Sequence, residues 1–398
     1  MPQRHLDAAH LRAWWAHRQA LDGSLSSASA SEVLARTGWA RSVGGTSPYL
    51  TLFARAGITR DAADAAVAQL HIHELPAARG CAYVLPASHY ALALSVGAGF
   101  NVSNDRRTAI KLGATEAELD KLCARVLHAL KDGPLDPEQI KTAAGAAVRN
   151  FGEAGKKKGL TTSLPVALST LQSAGEIRRI SLNGRLDTQR FKYALWRPNP
   201  CQGFRLNSQE ALTELARLYW QWTGPATLAE FQWFSGCGVK AVQQAVDPLG
   251  LIALDTGSQR LILPADRDAL LSFRVPKEPR WSLVSSLDGI ALLRRNVQDL
   301  LPDPNAHFPL IHGLSDGLSD LPSNAIVDRG TLAGLWEFDP AAGDIAWMTF
   351  AQAHKTLEAE VARTAEFIRT QLGDARSFSL DTPKSRAPRI EALRRAGR

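Results

Sequence analysis

Residues 40–55, ARSVGGTSPYLTLFAR, place the hydroxyls of Ser42, Thr46, Ser47 and Tyr49 in or beside a glycine-rich loop that runs into an apolar segment. A hydroxyl in such a loop can hold a water, but it is no general base without a partner. No Gln, Asp or Glu lies between Glu32 and Asp61 to serve as one. Ligand-type side chains also occur in His71-Ile72-His73-Glu74, where no second cluster supplies the remaining ligands of a zinc site. That tetrapeptide reads as a polar helix end. Neither a phosphate-binding P-loop nor a dinucleotide fingerprint occurs in the right context, so neither a cofactor nor a metal is expected. Cys81, Cys123, Cys201 and Cys237 are far apart, form no C-x-x-C pair, and read as reduced thiols.

The elements that would position this loop show a repeat. DGPLDPEQI (132–140) and TGPATLAEF (223–231) share Gly-Pro, a cap residue, and an acid or amide three places on. Asp136 with Gln139, and Thr227 with Glu230, predict capping boxes, each after an amphipathic helix (116–130 and 208–222). Helical spacing at Leu164, Ala167, Leu168 and Leu171 follows the first, then two alternating runs around Asn183-Gly184. The second copy continues VKAVQQAVDPLG, LIALDT and QRLILP. Helix, turn, helix and hairpin, twice over, is the layout of a winged helix. Ser29 with Glu32 predicts a further capped helix, and TLAGLWEF with DIAWMTF predicts a hairpin across DPAAG, followed by a helix over 351–372. The expected class is mainly α with small β hairpins (α+β), as tandem winged-helix modules. The expected divisions are an N-terminal module carrying the loop (1–110), winged helices at 111–200 and 201–275, and a C-terminal α+β module with a basic tail (276–398).

The 398 residues carry a net charge of +7. Basic residues cluster in GKKKG (155–159), IRRISLNGRLDTQRFKY (177–193) and TPKSRAPRIEALRRAGR (382–398). Such clusters favour a polyanion, through phosphate neutralisation and counterion release. Lys156, Lys157, Lys158, Arg178, Arg179 and Arg185 are the expected phosphate contacts. No apolar run approaches the ~20 residues that span a bilayer. The N-terminus has no apolar signal-peptide core, so the expectation is a cytoplasmic protein, monomeric and without a membrane partner. Most tryptophans fall at core spacing; Trp39 stands apart because it adjoins the loop.

With these elements placed, SPYLTLFAR (47–55), RGCAYVLPASHY (79–90), HALKDGPLDPEQI (128–140), GPATLAEFQWFSG (224–236), LVSSLDGIALLRR (283–295) and IVDRGTLAGLWEF (326–338) stand out together. In this order the chain resembles the AlkZ/YcaQ-like DNA glycosylases. The resemblance implies a C-shaped cradle of winged helices around duplex DNA. It implies excision of alkylated bases by a Gln-x-Gln or Gln-x-Asp motif that positions water just before the SPYLTLFAR-type helix. It also places Arg79 on a strand facing the cradle, and aligns Asp288 with a recurrent Asp that reads as a capping or packing residue. Counting back from SPYLTLFAR, the motif positions fall on Arg41 and Val43, with Ser42 between them. Arg-Ser-Val holds no water-orienting amide, so Arg41, Ser42, Val43 and Thr46 are the candidate catalytic positions of a weakened or silent site. The readings that follow are a DNA-binding protein with residual glycosylase activity, a non-catalytic damage sensor or regulator, and a protein-interaction scaffold.

Overall fold

The computed structural model describes residues 6–255, 258–303, 319–350 and 355–397. The chain is mainly helical, with small antiparallel sheets. At the N-terminal end, α1 (Ala8–Arg18) is capped by Asp7 and α2 (Ala30–Thr37) by the expected box of Ser29 and Glu32. A two-residue strand, β1 (Ala40–Arg41), precedes α3 (Ser47–Ala56), which has Pro48 in its first turn and left-handed Gly57 at its end. Next come α4 (Arg60–Ala68), β2 (Ile72–Pro76) and β3 (Ala82–Pro86). The central strand β3 pairs with β1 on one side and β2 on the other, with Ala40 and Glu74 both opposite Val84. This sheet lies between two cores: Ala40, Ile72 and Val84 join Leu50 and Val33, whereas Leu75, Tyr83 and Leu85 join Trp39, Trp220 and Trp222.

The repeat is visible in the middle of the chain. After α5 (Tyr90–Ala98) and α6 (Asn101–Lys111) come α7 (Glu116–Ala129), α8 (Pro137–Ala144), α9 (Gly152–Lys156) and α10 (Leu164–Ser173). A hairpin of β4 (Ile177–Ser181) and β5 (Phe191–Leu195) follows, with Ile177 opposite Leu195. Leu122, Val126, Ile140, Leu168 and Ile177 close a core of its own. The second copy runs α11 (Ser208–Thr223), α12 (Leu228–Ser235), α13 (Val239–Val246), β6 (Ile252–Ala253) and β7 (Leu261–Ile262). Both predicted capping boxes are formed, Asp136 with Gln139 and Thr227 with Glu230. The second hairpin is shorter than the two six-residue runs expected. Leu261 exchanges hydrogen bonds with Ala226 on its other edge, and residues 256–257 lie outside the described set.

Toward the C-terminus, α14 (Pro264–Ser272) leads to β8 (Trp281–Val284), α15 (Gly289–Leu292), β9 (Asn324–Asp328), β10 (Thr331–Asp339) and β11 (Asp344–Thr349). The expected hairpin is half of a four-stranded sheet in the order β11-β10-β9-β8. Then come α16 (Lys355–Phe367), inside the predicted helical run, and α17 (Pro383–Ala396). Residues 351–354 of that run lie outside the described set. The tail is not a free polycation. Arg386 is fully buried against Asp374 at 2.7 Å, and Arg389 bonds Glu337 at 2.9 Å and Asp381 at 3.0 Å.

One buried ion pair ties these parts together. Arg55, on α3, donates to both Asp288 oxygens at 2.7 and 2.8 Å and to Gln19 Oε1 at 2.9 Å. Asp288 also caps α15 by accepting from the Ile290 amide at 3.0 Å. Removing one partner strands a charge in the interior, which costs about 3–5 kcal/mol. Asp288→Ala should lower the urea unfolding free energy by about that much, and Asp288→Ala with Arg55→Met should recover part of the loss.

His73, on β2, is held neutral by burial, reinforced by Arg178 and Arg179, and its pKa falls to about 3. An unfolded histidine titrates near 6.5, so only the unfolded state gains a proton as pH falls from about 6.5 toward 3. Stability from this group is complete above that window and declines through it, by about 3 kcal/mol at pH 4. His73→Phe should flatten the pH 7-to-4 decline in melting temperature; an unchanged slope contradicts the assignment.

Candidate active site

Beyond β1 the chain keeps its contact with β3, as the Ser42 amide donates to the Ala82 carbonyl at 3.0 Å. This places the Ser42 hydroxyl against Glu74, and it donates to Glu74 Oε2. The other oxygen, Glu74 Oε1, lies 3.3 Å from Arg179 Nη2, and the Arg179 guanidinium lies over the Phe191 ring at 4.9 Å. These groups line a cleft of about 870 Å³ between the β1–β3–β2 sheet, the start of α8 and the β4–β5 hairpin. Arg41, Ser42, Val43 and Gly44 form one wall.

The loop is closed down from two sides. The Val43 carbonyl accepts from the Ser379 amide at 3.2 Å, and the Thr46 amide donates to the Arg376 carbonyl at 2.9 Å. Gly44 has φ +74°, and a Cβ there would lie 2.5 Å from Gln189 Cγ. At Gly45 a Cβ would lie 2.3 Å from the Ser377 carbonyl oxygen. Gly44 is therefore required by its left-handed backbone, and Gly45 by the close approach of neighbouring backbone. Arg376 in turn donates to the Asp187 carbonyl at 2.8 Å, so the segment 376–379 straps the loop to the turn that joins β4 and β5.

No acidic partner lies near Ser42 in sequence; the fold brings one to its hydroxyl, Glu74, from β2. His73 and Glu74 sit on a strand, not at a helix end, and no group of three or more metal-type ligands occurs among the described residues. Glu74 lies between the buried His73 and Leu75, and the partners that answer it, Ser42 and Arg179, come from distant parts of the chain.

The structure brings together only some of the other sequence candidates. Arg41, Ser42, Val43 and Arg179 line the cleft; Thr46 is buried, its hydroxyl 3.1 Å from the Arg376 carbonyl, and faces the strap. Arg178, Arg179 and Arg185 border a second cavity behind Glu74. Arg185 is turned inward, with Nε 2.8 Å from Asp187 Oδ1 and Nη2 3.1 Å from the Leu372 carbonyl. Arg79 is not on the expected strand: it sits at φ +58° in a short helical turn (Ala78–Gly80) that ends before β3 begins at Ala82, and it lies over the Trp233 ring at 4.5 Å. Lys156, Lys157 and Lys158 are exposed at the end of α9, outside the cleft lining, with Lys156 2.6 Å from Glu153. Trp39 belongs to the core, its Nε1 donating to His89 Nδ1 at 3.1 Å. All four cysteines are free. Among the described residues no helix is long and apolar enough to cross a membrane.

Residues 34–374 match the family DNA glycosylase AlkZ-like. No curated protein matches the chain. In structure the chain is similar to the Streptomyces sahachiroi DNA glycosylase AlkZ, with a TM-score of 0.66 and 19% identity. That likeness covers 92% of this chain and 97% of the other, and at this identity it establishes a shared fold. Matched over most of its length, the chain belongs to the AlkZ-like DNA glycosylase family.

Proposed function

We propose that this protein binds duplex DNA and hydrolyses the N-glycosidic bond of a damaged nucleotide, with Ser42 and Glu74 holding the attacking water. The observation that carries the proposal is the Ser42 hydroxyl donating to a carboxylate at the wall of the cleft. The helix–turn–helix–hairpin segments at 111–200 and 201–275 serve as winged helices, flanked by units at 1–110 and 276–398, and together they cradle the duplex. The fold shared with AlkZ and the antiparallel hairpins support this arrangement.

The chemistry needs few groups. The C1′–N bond breaks with its electron pair leaving on the base, and an oxocarbenium-like sugar forms. Glu74, as the carboxylate, stabilises that positive charge and takes a proton from the water whose oxygen bonds C1′. Arg41 and Val43 contribute no water-orienting amide, so turnover is slow, with 7-methylguanine a poor substrate. Glu74 is already held by Ser42 and Arg179, which favours a second reading: a damage-binding protein without turnover.

Glu74→Gln should lower single-turnover formation of abasic sites on damaged duplex by about 10²–10³-fold while leaving affinity intact. A wild type that binds damaged duplex but forms no abasic sites establishes the second reading. Replacing Lys156, Lys157 and Lys158 by Ala should weaken duplex binding and flatten the log–log salt slope by up to about 3, near one counterion per lysine. An unchanged slope removes these lysines from the interface, and no duplex binding at low salt leaves the scaffold reading.

A further inference from the structure

The turn that joins β4 and β5 is anchored at three consecutive residues. Arg185 reaches the Leu372 carbonyl at 3.1 Å, the Leu186 amide donates to the Tyr49 hydroxyl on α3 at 2.8 Å, and the Asp187 carbonyl accepts from Arg376 at 2.8 Å. Leu186 and Asp187 are buried. The residues that follow, Thr188, Gln189 and Arg190, line the cleft that holds Ser42 and Glu74.

Among the described residues, Gln189 carries the one amide side chain on that lining. Its Nε2 lies 3.4 Å from the Val43 carbonyl oxygen, and its stem runs against Gly44, where a Cβ would come within 2.5 Å of Gln189 Cγ. The bare backbone of Gly44 admits the side chain here. A carbonyl oxygen only accepts, so the amide nitrogen is the atom that must face Val43. Oε1 is left to accept from something else, on an exposed side chain at the cleft wall. The remaining groups on the lining are less suited. Asp136 accepts from the Gln139 amide at 2.9 Å and Glu138 pairs with Lys141 at 3.3 Å, so both serve α8. Arg41, Arg179 and Arg190 have no acceptor to offer.

We propose that Gln189 positions the attacking water, its Oε1 accepting one water hydrogen in a hydrogen bond while Glu74 takes the other as a proton. The proposal rests on the hydrolysis reading above and adds a residue to its machinery. A water held by one acceptor turns freely about that bond. A second acceptor fixes both hydrogens and leaves a lone pair directed at C1′. Glu74 has the capacity for this, since each carboxylate oxygen offers about two acceptor sites. Ser42 occupies one on Oε2, and Arg179 one on Oε1. In the step the water oxygen bonds C1′, the C1′–N electron pair leaves on the base, and the transferred proton rests on Glu74. The amide gains and loses none. The hairpin of the first repeated unit thus supplies a group to the site, which is complete only while its turn is docked on α3 and the 376–379 strap.

The test uses the full chain in excess over a duplex carrying one 7-methylguanine and reads abasic-site formation in a single turnover. Gln189→Met keeps the length of the side chain and loses the amide. It should lower the rate by about 10–10²-fold, with duplex affinity and melting temperature unchanged. Gln189→Glu keeps an acceptor and loses the donor to Val43, and at pH 7 it should recover most of that loss. A side chain that served only to clamp the loop through Nε2 would fail as Glu just as it fails as Met. A full rate from Gln189→Met, or equal losses in the two variants, overturns the assignment and leaves Ser42 and Glu74 standing. A wild type that binds this duplex but forms no abasic sites overturns hydrolysis and this assignment together.

Discussion

A strand of two residues holds the candidate site together. Ser42 and Glu74 are 32 positions apart and meet because Ala40 and Arg41 add to β3 instead of continuing as loop. Side chains alternate across a sheet, so Ala40, Val84 and Glu74 stand in one row and Ser42 follows Ala40 on the same face. A slip of one residue in β1 would turn Ser42 away and bring Arg41 or Val43 toward Glu74. The register is fixed by burial on both faces, since Trp39 and Ala40 enter opposite cores. The chemistry thus depends on the packing of a strand too short to hold itself.

The loop after that strand is fixed by contacts from far along the chain. Residues 376–379 close over Val43 to Thr46, and they are anchored in turn by the ion pairs of the last helix. Asp381 receives Arg389, and Asp374 receives the buried Arg386. Arg386 and Arg389 therefore act as struts for the loop, whereas Arg394 and Arg395 pair with Asp339 and Glu391 at the surface.

What was legible in the sequence was local. Each capping box joins residues three apart, and the β10–β11 hairpin is set by adjacent alternating runs, so both could be read directly. The site could not be read that way. In HIHELP, Ile72 and Leu75 are both buried but lie on opposite faces of the sheet, which erases the period-two alternation of a half-exposed strand. Polar letters then mimic a helix end. The inward pairing of Arg386 and Arg389 was hidden for a related reason, because Glu337, Asp374 and Asp381 are distant in sequence or hidden among neighbours.

Arg41 occupies a position where a permanent cation should oppose an oxocarbenium-like sugar, and its contacts show how the fold accommodates it. The guanidinium donates to the Ala82 carbonyl at 2.7 Å and lies over the Tyr83 ring at 5.4 Å. Its charge is directed at a carbonyl dipole and a π face, which reduces what reaches the cleft. Glu74 is the negative group nearest the Ser42 hydroxyl, and Arg178 lies on the cavity side alone. Arg41, Arg179 and Arg190 line the cleft together with Glu74, Asp136 and Glu138, so its cations and carboxylates are matched in number and no net field decides the site. What acts at Ser42 is local: Arg41 is committed to the Ala82 carbonyl and the Tyr83 ring, and the carboxylate in contact with the hydroxyl is Glu74.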